Sequence, residues 1–415
     1  MPRDPLQRYL ARGPNPSPVT VAIGSNKGQV RVFPGFTGCF IIPPDGSLWR
    51  WGQPGGYQFS RTNLAEQVGT NRDWAQASAA NGNCVGVTAD GSFWSWGLDF
   101  GAPLVSSTFF KNWDSEPKQV GIKRDWAWAT SGGSHAVMLK RDGTVWGWGH
   151  DSEGQLGNGL GPEETNLVRV LHSQLPHVRT NLVQMGTNDD WTAVSAEPSY
   201  TLALRADGTL WMWGKIQRLL NGQPGGVFPV PTRVCRETNW SALQWDGTGL
   251  QGMALDGNGG LWRFFNSQPQ PSAGADSVGQ LFASNCVPGR FALAYPGFWQ
   301  LHPDGTLWET KVDFSQPPNF KVLNQWHRAG KRSDWIGLWG GMGTAYGVTA
   351  DGTVWTWGTV WGLEGITSPT SKMHILENRI KGALGFAAKP YSTGGVTPIQ
   401  REPRPLIIFQ SSPSQ

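Results

Sequence analysis

The alternation of apolar and polar positions is clearest in residues 135–159, where it predicts two strands followed by a loop. Residues 136–140 form a short apolar run that is typical of a strand. The pair Asp142-Gly143 follows as a turn, because glycine adopts a positive φ without a Cβ clash. Residues 144–148 predict the second strand, in which two tryptophans share one face. A single hairpin is marginally stable in water, so this unit must be repeated or covered.

The same pattern, Asp-Gly followed by a hydrophobic residue and tryptophan, occurs seven times. The copies begin at Asp45, Asp90, Asp142, Asp207, Asp256, Asp304 and Asp351, and the one at Asp256 has two extra residues before its Leu-Trp pair. A second mark stands 16 residues earlier in five copies, at Trp74, Trp126, Trp191, Trp240 and Trp335. A third follows the hairpin tryptophan by two residues, at Trp51, Trp96, Trp148, Trp213 and Trp357. A period near 50 residues with a hairpin in each unit predicts a propeller or a β-solenoid.

The third copy resembles the repeat of the RCC1 family, the regulators of chromosome condensation. The matching residues are His135, Ala136, Leu139, Asp142, Gly143, Val145, Trp148, Gly149, Gly154, Gln155, Leu156, Gly157 and Gly159. The resemblance implies an all-β, seven-bladed propeller with four-stranded blades, and weaker repeats extend it over residues 29–360. It implies little about activity, because the family includes a GTPase exchange factor, an ultraviolet receptor, an enzyme inhibitor and plain interaction modules.

The chain is predicted to form one propeller with short extensions. Residues 1–18 contain five prolines and predict an extended arm, residues 19–409 the propeller, and residues 410–415 a tail. Strands are expected at Val19–Ile23 and Leu406–Phe409. Because an open ring would expose strand edges, we expect these two strands to take part in closing it.

Composition excludes several classes. There is no run of 18 apolar residues and no apolar leader segment, so the expected location is the cytoplasm, without a membrane span. A net charge of +4 with 15% charged residues in short, scattered groups argues against a specific nucleic-acid partner. Cys39 and Cys84 occupy equivalent positions in neighbouring copies; buried thiols are favoured over a disulfide or redox pair.

The chain has 24 tryptophans, and the repeat marks account for most of them. Those are expected to pack between adjacent blades. Trp128, Trp245, Trp299 and Trp339 fall within predicted strands or turns. The aromatic groups of the inter-blade connections are candidate partner-binding residues, because interfaces are rich in tryptophan and arginine. They are Phe109, Phe110, Trp113, Trp326, His327, Arg328 and Trp361. The alternative is that they plug the blade ends.

The sequence contains no convincing catalytic pattern, so no catalytic residue, cofactor or metal is predicted. Residues 247–252 fit Gly-x-Gly-x-x-Gly, but they fall where every other copy has a blade strand. The histidines show no metal-ligand spacing, and His135 is interpreted as structural. The sequence therefore favours a non-catalytic interaction platform, a subunit or adaptor that binds a protein through its loops. A lectin-like, carbohydrate- or small-ligand-binding propeller is the alternative, ahead of light reception or GTPase exchange.

Overall fold

The fold is all-β, and the described residues form thirty strands in seven sheets. The computed structural model describes residues 19–23, 29–35, 37–54, 65–80, 82–98, 113–159, 178–218, 224–235, 237–245, 251–265, 280–287, 290–294, 297–313, 321–323, 325–341, 344–359 and 399–411. The predicted arm at residues 1–18 lies outside these ranges. The last strand ends at Ser411, within the predicted tail.

Each sheet is one blade, and its strands follow one another in the chain from the inner to the outer edge. Blade 1 contains β2 (Arg31–Pro34), β3 (Thr37–Ile42), β4 (Trp49–Gln53) and β5 (Glu66–Gln67). Blade 2 contains β6 (Trp74–Ala80), β7 (Asn83–Thr88), β8 (Phe93–Leu98) and β9 (Trp113–Gln119). Blade 3 contains β10 (Trp126–Ser131), β11 (His135–Lys140), β12 (Val145–His150) and β13 (Val178–Gln184). Blade 4 contains β14 (Trp191–Ala196), β15 (Tyr200–Arg205), β16 (Leu210–Arg218) and β17 (Pro224–Arg233).

The remaining three blades repeat this order. Blade 5 contains β18 (Trp240–Trp245), β19 (Gln251–Asp256), β20 (Leu261–Phe265) and β21 (Gln280–Ala283). Blade 6 contains β22 (Phe291–Ala294), β23 (Gly297–Leu301) and β24 (Leu307–Asp313), and β24 pairs with both β25 (Lys321–Val322) and β26 (His327–Arg328). Blade 7 contains β27 (Trp335–Gly340), β28 (Thr344–Thr349), β29 (Thr353–Thr359) and β30 (Ile399–Ser411).

Antiparallel pairing within each blade gives the ring two different faces. The turn face carries the turns between the second and third strands, and also the connections from each outer strand to the next inner strand. The loop face carries the turns between the first and second strands and the connections from the third strand to the outer strand. This division determines which residues share a surface.

Strand pairing at blade 7 closes the ring as predicted. The strand β1 (Val19–Ile23) pairs in parallel with β30, with Val19 opposite Ile407, and β30 pairs antiparallel with β29. The sheet of blade 7 therefore combines β1, from the start of the described chain, with β27–β30, from its end. The predicted seven-bladed propeller is confirmed. The described residues contain no helix long and apolar enough to cross a membrane.

The core is divided into seven clusters, and each cluster joins two neighbouring blades. The cluster that joins blades 7 and 1 contains Ile41 and Trp51 from blade 1 and Tyr346 from blade 7. The rings of Trp51 and Tyr346 meet edge to face at 6.3 Å. The predicted packing of the repeat tryptophans between blades is confirmed: the inner-strand tryptophans are buried, and most hairpin tryptophans lie half-buried against the same clusters.

A backbone hydrogen bond on the turn face links two neighbouring blades at five of the blade junctions. The first residue of an inner strand donates its N–H to the carbonyl oxygen of the turn glycine in the preceding blade, at 3.0–3.1 Å. These donor–acceptor pairs are Trp74–Gly46, Trp126–Gly91, Trp191–Gly143, Trp240–Gly208 and Trp335–Gly305. A second bond runs back within the blade, for example from Arg141 N–H to the Asp125 carbonyl at 2.9 Å. The connection between blades is therefore held between two successive turns.

The turn aspartate organises its own hairpin. In blade 3, Asp142 Oδ1 accepts hydrogen bonds from the backbone N–H and the hydroxyl of Thr144, at 2.9 and 2.6 Å. The hydroxyl oxygen of Thr144 accepts in turn from Trp146 Nε1 at 3.0 Å. Blades 1, 4 and 6 repeat this arrangement, whereas blades 2 and 7 use a threonine two residues before the aspartate. Turn geometry thus positions the hairpin tryptophan against the core.

The structure corrects the expected insertion in the fifth copy. Leu255 pairs with Leu261, the same six-residue separation that joins Leu139 to Val145 in blade 3. The turn is formed by Asn258-Gly259, and Asp256 is the last residue of β19. Blade 5 therefore has no extra residues. An Asn-Gly pair supplies the positive φ that Asp-Gly supplies elsewhere, and Asp256 still accepts from Trp262 Nε1 at 2.7 Å.

The four cysteines are buried and are not joined in disulfides. Burial raises the pKa of Cys84 to about 12 and that of Cys235 to about 11, so both thiols stay protonated at neutral pH. This agrees with the interpretation of Cys39 and Cys84 as small core residues.

We expect Gly143→Ala to destabilise the ring far more than Gly121→Ala. Both glycines have positive φ, 81° and 70°, so both substitutions carry the strain of a left-handed alanine, roughly 1–2 kcal/mol. A Cβ at Gly143 would also overlap the carbonyl oxygen of Asp189, whereas nothing lies within 4 Å of a Cβ at Gly121. The clash should add about 2 kcal/mol. Thermal unfolding of both variants measures the difference, and equal losses would contradict the role of the junction.

We expect stability to fall in acid as the turn aspartates are protonated. Hydrogen bonds from the threonine hydroxyl, and then from its backbone N–H, lower the pKa of Asp142, Asp207 and Asp304. A lowered folded-state pKa means that this stabilisation is present above the unfolded value of about 3.9 and is lost as pH falls through the folded values. The unfolding temperature of a triple Asp→Asn variant, measured from neutral pH downwards, should depend less steeply on pH than that of the wild type. Parallel curves would refute the assignment.

Candidate interaction surface

The predicted partner-binding residues fall on both faces of the ring. Phe109, Phe110 and Trp361 lie outside the described residues. Trp113 is the first residue of β9, which corrects its expected place in a connection, and it lies at the loop-face end of that strand. Trp326, His327 and Arg328 precede or form β26, which pairs with the turn-face end of β24. The structure therefore does not bring these residues together as one site.

Within the turn-face group, the three side chains differ in burial. Trp326 is half-buried and packs against the cluster between blades 5 and 6, with its ring 6.1 Å from that of Phe298. His327 and Arg328 are exposed. Arg328 Nη2 donates to the carbonyl oxygen of Lys331 at 3.2 Å, a local hydrogen bond within the connection between β26 and β27. Trp326 is thus anchored in the core, and the two exposed residues remain candidates for binding.

Among the described residues, four of the five exposed large apolar residues lie on the turn face or in the half of the channel nearest to it. Ile122, in the connection between blades 2 and 3, is 92% exposed, and Val287, between blades 5 and 6, is 50% exposed. Trp128 on β10 is 41% exposed and Ile336 on β27 is 38% exposed. Val230, on the outer strand of blade 4, is 49% exposed and lies away from this group. The four residues share one face of the ring, although they come from separate blades and connections.

The central channel is lined by the seven inner strands. Trp128 occupies a register position, two residues after the first tryptophan, where neighbouring blades have Gln76, Ala193, Ala242 or Gly337. Its ring lies 6.5 Å from the ring of Phe33, at an interplanar angle of 53°. Phe33 belongs to blade 1 and Trp128 to blade 3, so the two rings meet across the inner strand of blade 2. One sector of the channel is therefore aromatic.

The Gly-Gln-Leu-Gly loop of the third copy has a structural role. Asp151 Oδ1 accepts from the backbone N–H of Leu156 at 2.9 Å, and Leu156 is buried in the core between blades 3 and 4. Gly157 lies so close to Trp213 that a Cβ would overlap the indole ring. Gly159 N–H donates to the carbonyl oxygen of Pro229 in blade 4 at 2.8 Å. The loop joins two blades, so its motif reports on architecture and not on a ligand.

His135 belongs to the same junction. Its Nε2 lies 3.3 Å from the hydroxyl oxygen of Thr201, and that hydroxyl donates to the carbonyl oxygen of Gln155 at 3.0 Å. Burial, and then the nearby charge of His150, lower the pKa of His135 to about 3. The ring is therefore neutral at physiological pH, which fits a structural role.

Comparison with known proteins identifies a known repeat in the segment that contains His135. The family model "Regulator of chromosome condensation (RCC1) repeat" matches residues 130–155. The predicted RCC1-like repeat is confirmed. Two curated relatives, named "Regulator of chromosome condensation", are 32% identical in Homo sapiens and 31% identical in Mus musculus, each over 115 residues. That match covers 28% of this chain and 24% of each relative, about a quarter of their length.

A solved structure is similar in fold over most of the chain. The crystal structure of human WBSCR16 superposes with a TM-score of 0.54 at 15% identity, and the match covers 85% of this chain and 86% of that one. At this identity the likeness concerns the fold alone.

The described part of the propeller offers no constellation for metal chemistry. No group of three or more His, Cys, Asp or Glu residues that could hold a metal ion occurs there. The Gly-x-Gly-x-x-Gly segment ends at Gly252, which pairs with Trp245 in an antiparallel hairpin. A dinucleotide site needs this motif to open a helix, whereas here the motif leads into a strand.

Sequence reasoning missed the channel residues, although a signal was present. Alignment on the first inner-strand tryptophan puts Trp128 where four other copies have smaller residues. The same alignment puts Ile122 where blades 1 and 3 have Thr70 and Thr187. Each is a large apolar residue at a position that is otherwise small or polar. Departures from the repeat, more than the repeat itself, indicate the surface.

We expect Trp326→Ala to lower the unfolding temperature, and His327→Ala and Arg328→Ala to leave it nearly unchanged. Removing a half-buried ring from the core between blades 5 and 6 should cost about 2 kcal/mol, below the range for fully buried aromatics. Exposed substitutions usually stay within about 0.5 kcal/mol. Thermal unfolding of the three single variants provides the test. An unchanged Trp326→Ala variant would show that this ring contributes nothing to the core.

Proposed function

We propose that this RCC1-like propeller is a non-catalytic protein-interaction platform, a subunit or adaptor of a larger assembly. The observation that supports it best is that Ile122, Trp128, Val287 and Ile336 are exposed on the same face of the ring, at the turn face and its half of the channel. Exposed apolar side chains of this size on a rigid frame are typical anchors of protein interfaces. The propeller fold itself is compatible with an interaction platform.

The rigid ring explains how such a surface would bind well. The connections of the turn face are held by hydrogen bonds to turns on both sides, so little conformational entropy is lost when a partner docks. Ion pairs such as Arg72–Asp45 and Arg332–Asp334, both at 2.7 Å, lie on the same face of the ring. Exposed pairs add little stability, but they form the polar rim that protein interfaces usually have.

Trp113, at the loop-face end of β9, belongs to the proposal only as a second contact region. It would contact the partner only if the partner reaches round the ring or if a second partner binds there. Phe109, Phe110 and Trp361, which lie outside the described residues, stay candidates from the sequence alone. The exposed pair His327 and Arg328 lies with the turn-face group.

Carbohydrate binding is the second candidate, because one observation favours it. The ring of Trp128 is partly exposed in the channel, and an exposed indole face is what a sugar ring stacks on. The role named for the curated relatives is not carried over, because the match covers only about a quarter of their length. A glycan array distinguishes the two hypotheses, because only a carbohydrate-binding propeller would bind a glycan on it.

The turn-face platform is tested by purifying the tagged protein from its native cells. We expect a stoichiometric partner with the wild type, and its loss with the double variant Ile122→Ser, Val287→Ser. Both side chains are exposed, so the fold should be unaffected. Val230→Ser is the matched control, since it removes an equally exposed valine elsewhere. A wild type that emerges alone and monomeric, or a partner kept by the double variant, would contradict the proposal.

A further inference from the structure

The described inner strands that line the channel carry positive charge only. The segments Arg31–Pro34, Trp74–Ala80, Trp126–Ser131, Trp191–Ala196, Trp240–Trp245, Phe291–Ala294 and Trp335–Gly340 contain no Asp, Glu or Lys. Arg31, the first residue of β2, is charged and exposed. A second arginine, Arg290, directly precedes β22 and forms an isolated bridge with Leu338 of β27. In a channel lined mainly by alanine, serine, threonine and aromatic residues, these arginines set the sign of the charge that a ligand must bring.

Arg31 is held in place but keeps binding capacity. Its Nη1 donates to the carbonyl oxygen of Ala75 at 2.5 Å and its Nη2 to that of Trp74 at 2.8 Å. These bonds fix the guanidinium across the start of blade 2. A guanidinium has five N–H donors, so others remain for an incoming acceptor. Among the described residues, no carboxylate forms a salt bridge with Arg31.

The arginine adjoins the aromatic sector. Phe33 is two residues further along β2, on the same side of the strand, and its ring meets that of Trp128. On the other side, Ile336 is the second residue of β27 in blade 7, which packs against β2. Blades 7, 1, 2 and 3 therefore present a continuous arc at the turn-face mouth of the channel. It holds three apolar side chains and one positive charge.

We propose that this arc is the docking site for a partner-protein segment that pairs one large apolar side chain with a carboxylate. The apolar side chain would lie against Phe33, Trp128 and Ile336, and the carboxylate would accept hydrogen bonds from Arg31. The inference rests on the proposed platform function and identifies the chemistry of its partner. A bidentate arginine–carboxylate pair beside aromatic rings combines the two kinds of contact that dominate protein interfaces.

The charge pattern argues against other occupants. Binding to a nucleic acid requires several cations that follow the phosphates, and the described inner strands and their starts provide only Arg31 and Arg290. A neutral sugar would use the ring of Trp128 but would gain little from Arg31. The pairing of one positive charge with an apolar arc fits an acidic, apolar peptide segment best.

The probe for this inference is a display library of short random peptides, selected on the immobilised full chain. We expect the recovered peptides to share a large aromatic or aliphatic residue next to Asp, Glu or a free carboxyl terminus. Arg31→Gln and Trp128→Ala should each weaken their binding about tenfold or more, the loss of at least 1.4 kcal/mol. Val230→Ser should bind like the wild type. Thermal unfolding of each variant shows that the ring is intact.

A charge reversal distinguishes recognition from damage to the fold. Selection on Arg31→Glu should recover peptides with Lys or Arg in place of the acid, a gain that a misfolded variant cannot produce. Failure to recover peptides on the wild type would overturn the inference, as would peptides without a shared carboxylate or binding indifferent to both Arg31 and Trp128. These results concern the channel mouth alone. The proposed platform function is tested separately, by whether binding of the native partner depends on Ile122 and Val287.

Discussion

The propeller depends on the hydrogen bond between a turn glycine and the first residue of the next inner strand. The bond recurs at 3.0–3.1 Å at five blade junctions, and it exists because glycine lets the turn approach the neighbouring backbone without a Cβ. The same turn uses its aspartate to hold the hairpin tryptophan through a hydroxyl group. One short motif thus sets the turn, the packing of the blade and the spacing to the next blade. That is why the motif recurs in a chain whose loops vary widely in length.

Repetition also separates structure from function in this molecule. The repeated tryptophans pack between blades, and the most family-like segment, the loop after blade 3, joins that blade to blade 4 through Leu156 and Gly159. What the repeat explains is architecture. Residues that depart from it, such as Ile122 and Trp128, have no architectural role that the other blades share. Binding chemistry is therefore best sought at the irregular positions.

The sequence predicts the architecture well because each blade carries its own turn and tryptophan marks. It predicts the turn of blade 5 wrongly, because Asp256-Gly257 imitates a turn that Asn258-Gly259 forms, and only strand pairing reveals the register. It also assigns both Trp113 and Trp326 to connections that bind a partner. In the structure Trp113 starts β9 at the loop face, whereas Trp326 precedes β26 at the turn face. The meeting of Phe33 and Trp128 is beyond sequence reasoning, since these residues are far apart in the chain and join only when the ring closes.

The central claim is that partners bind the turn face and its channel mouth. Hydrogen exchange of the protein, alone and with the partner that co-purifies from native cells, tests it most directly. The account predicts slower exchange in residues 120–128 and 284–287 and at the start of β2, with residues 151–159 of the loop face unchanged. Protection confined to the loop face, with these turn-face segments exchanging as in the free protein, would contradict it.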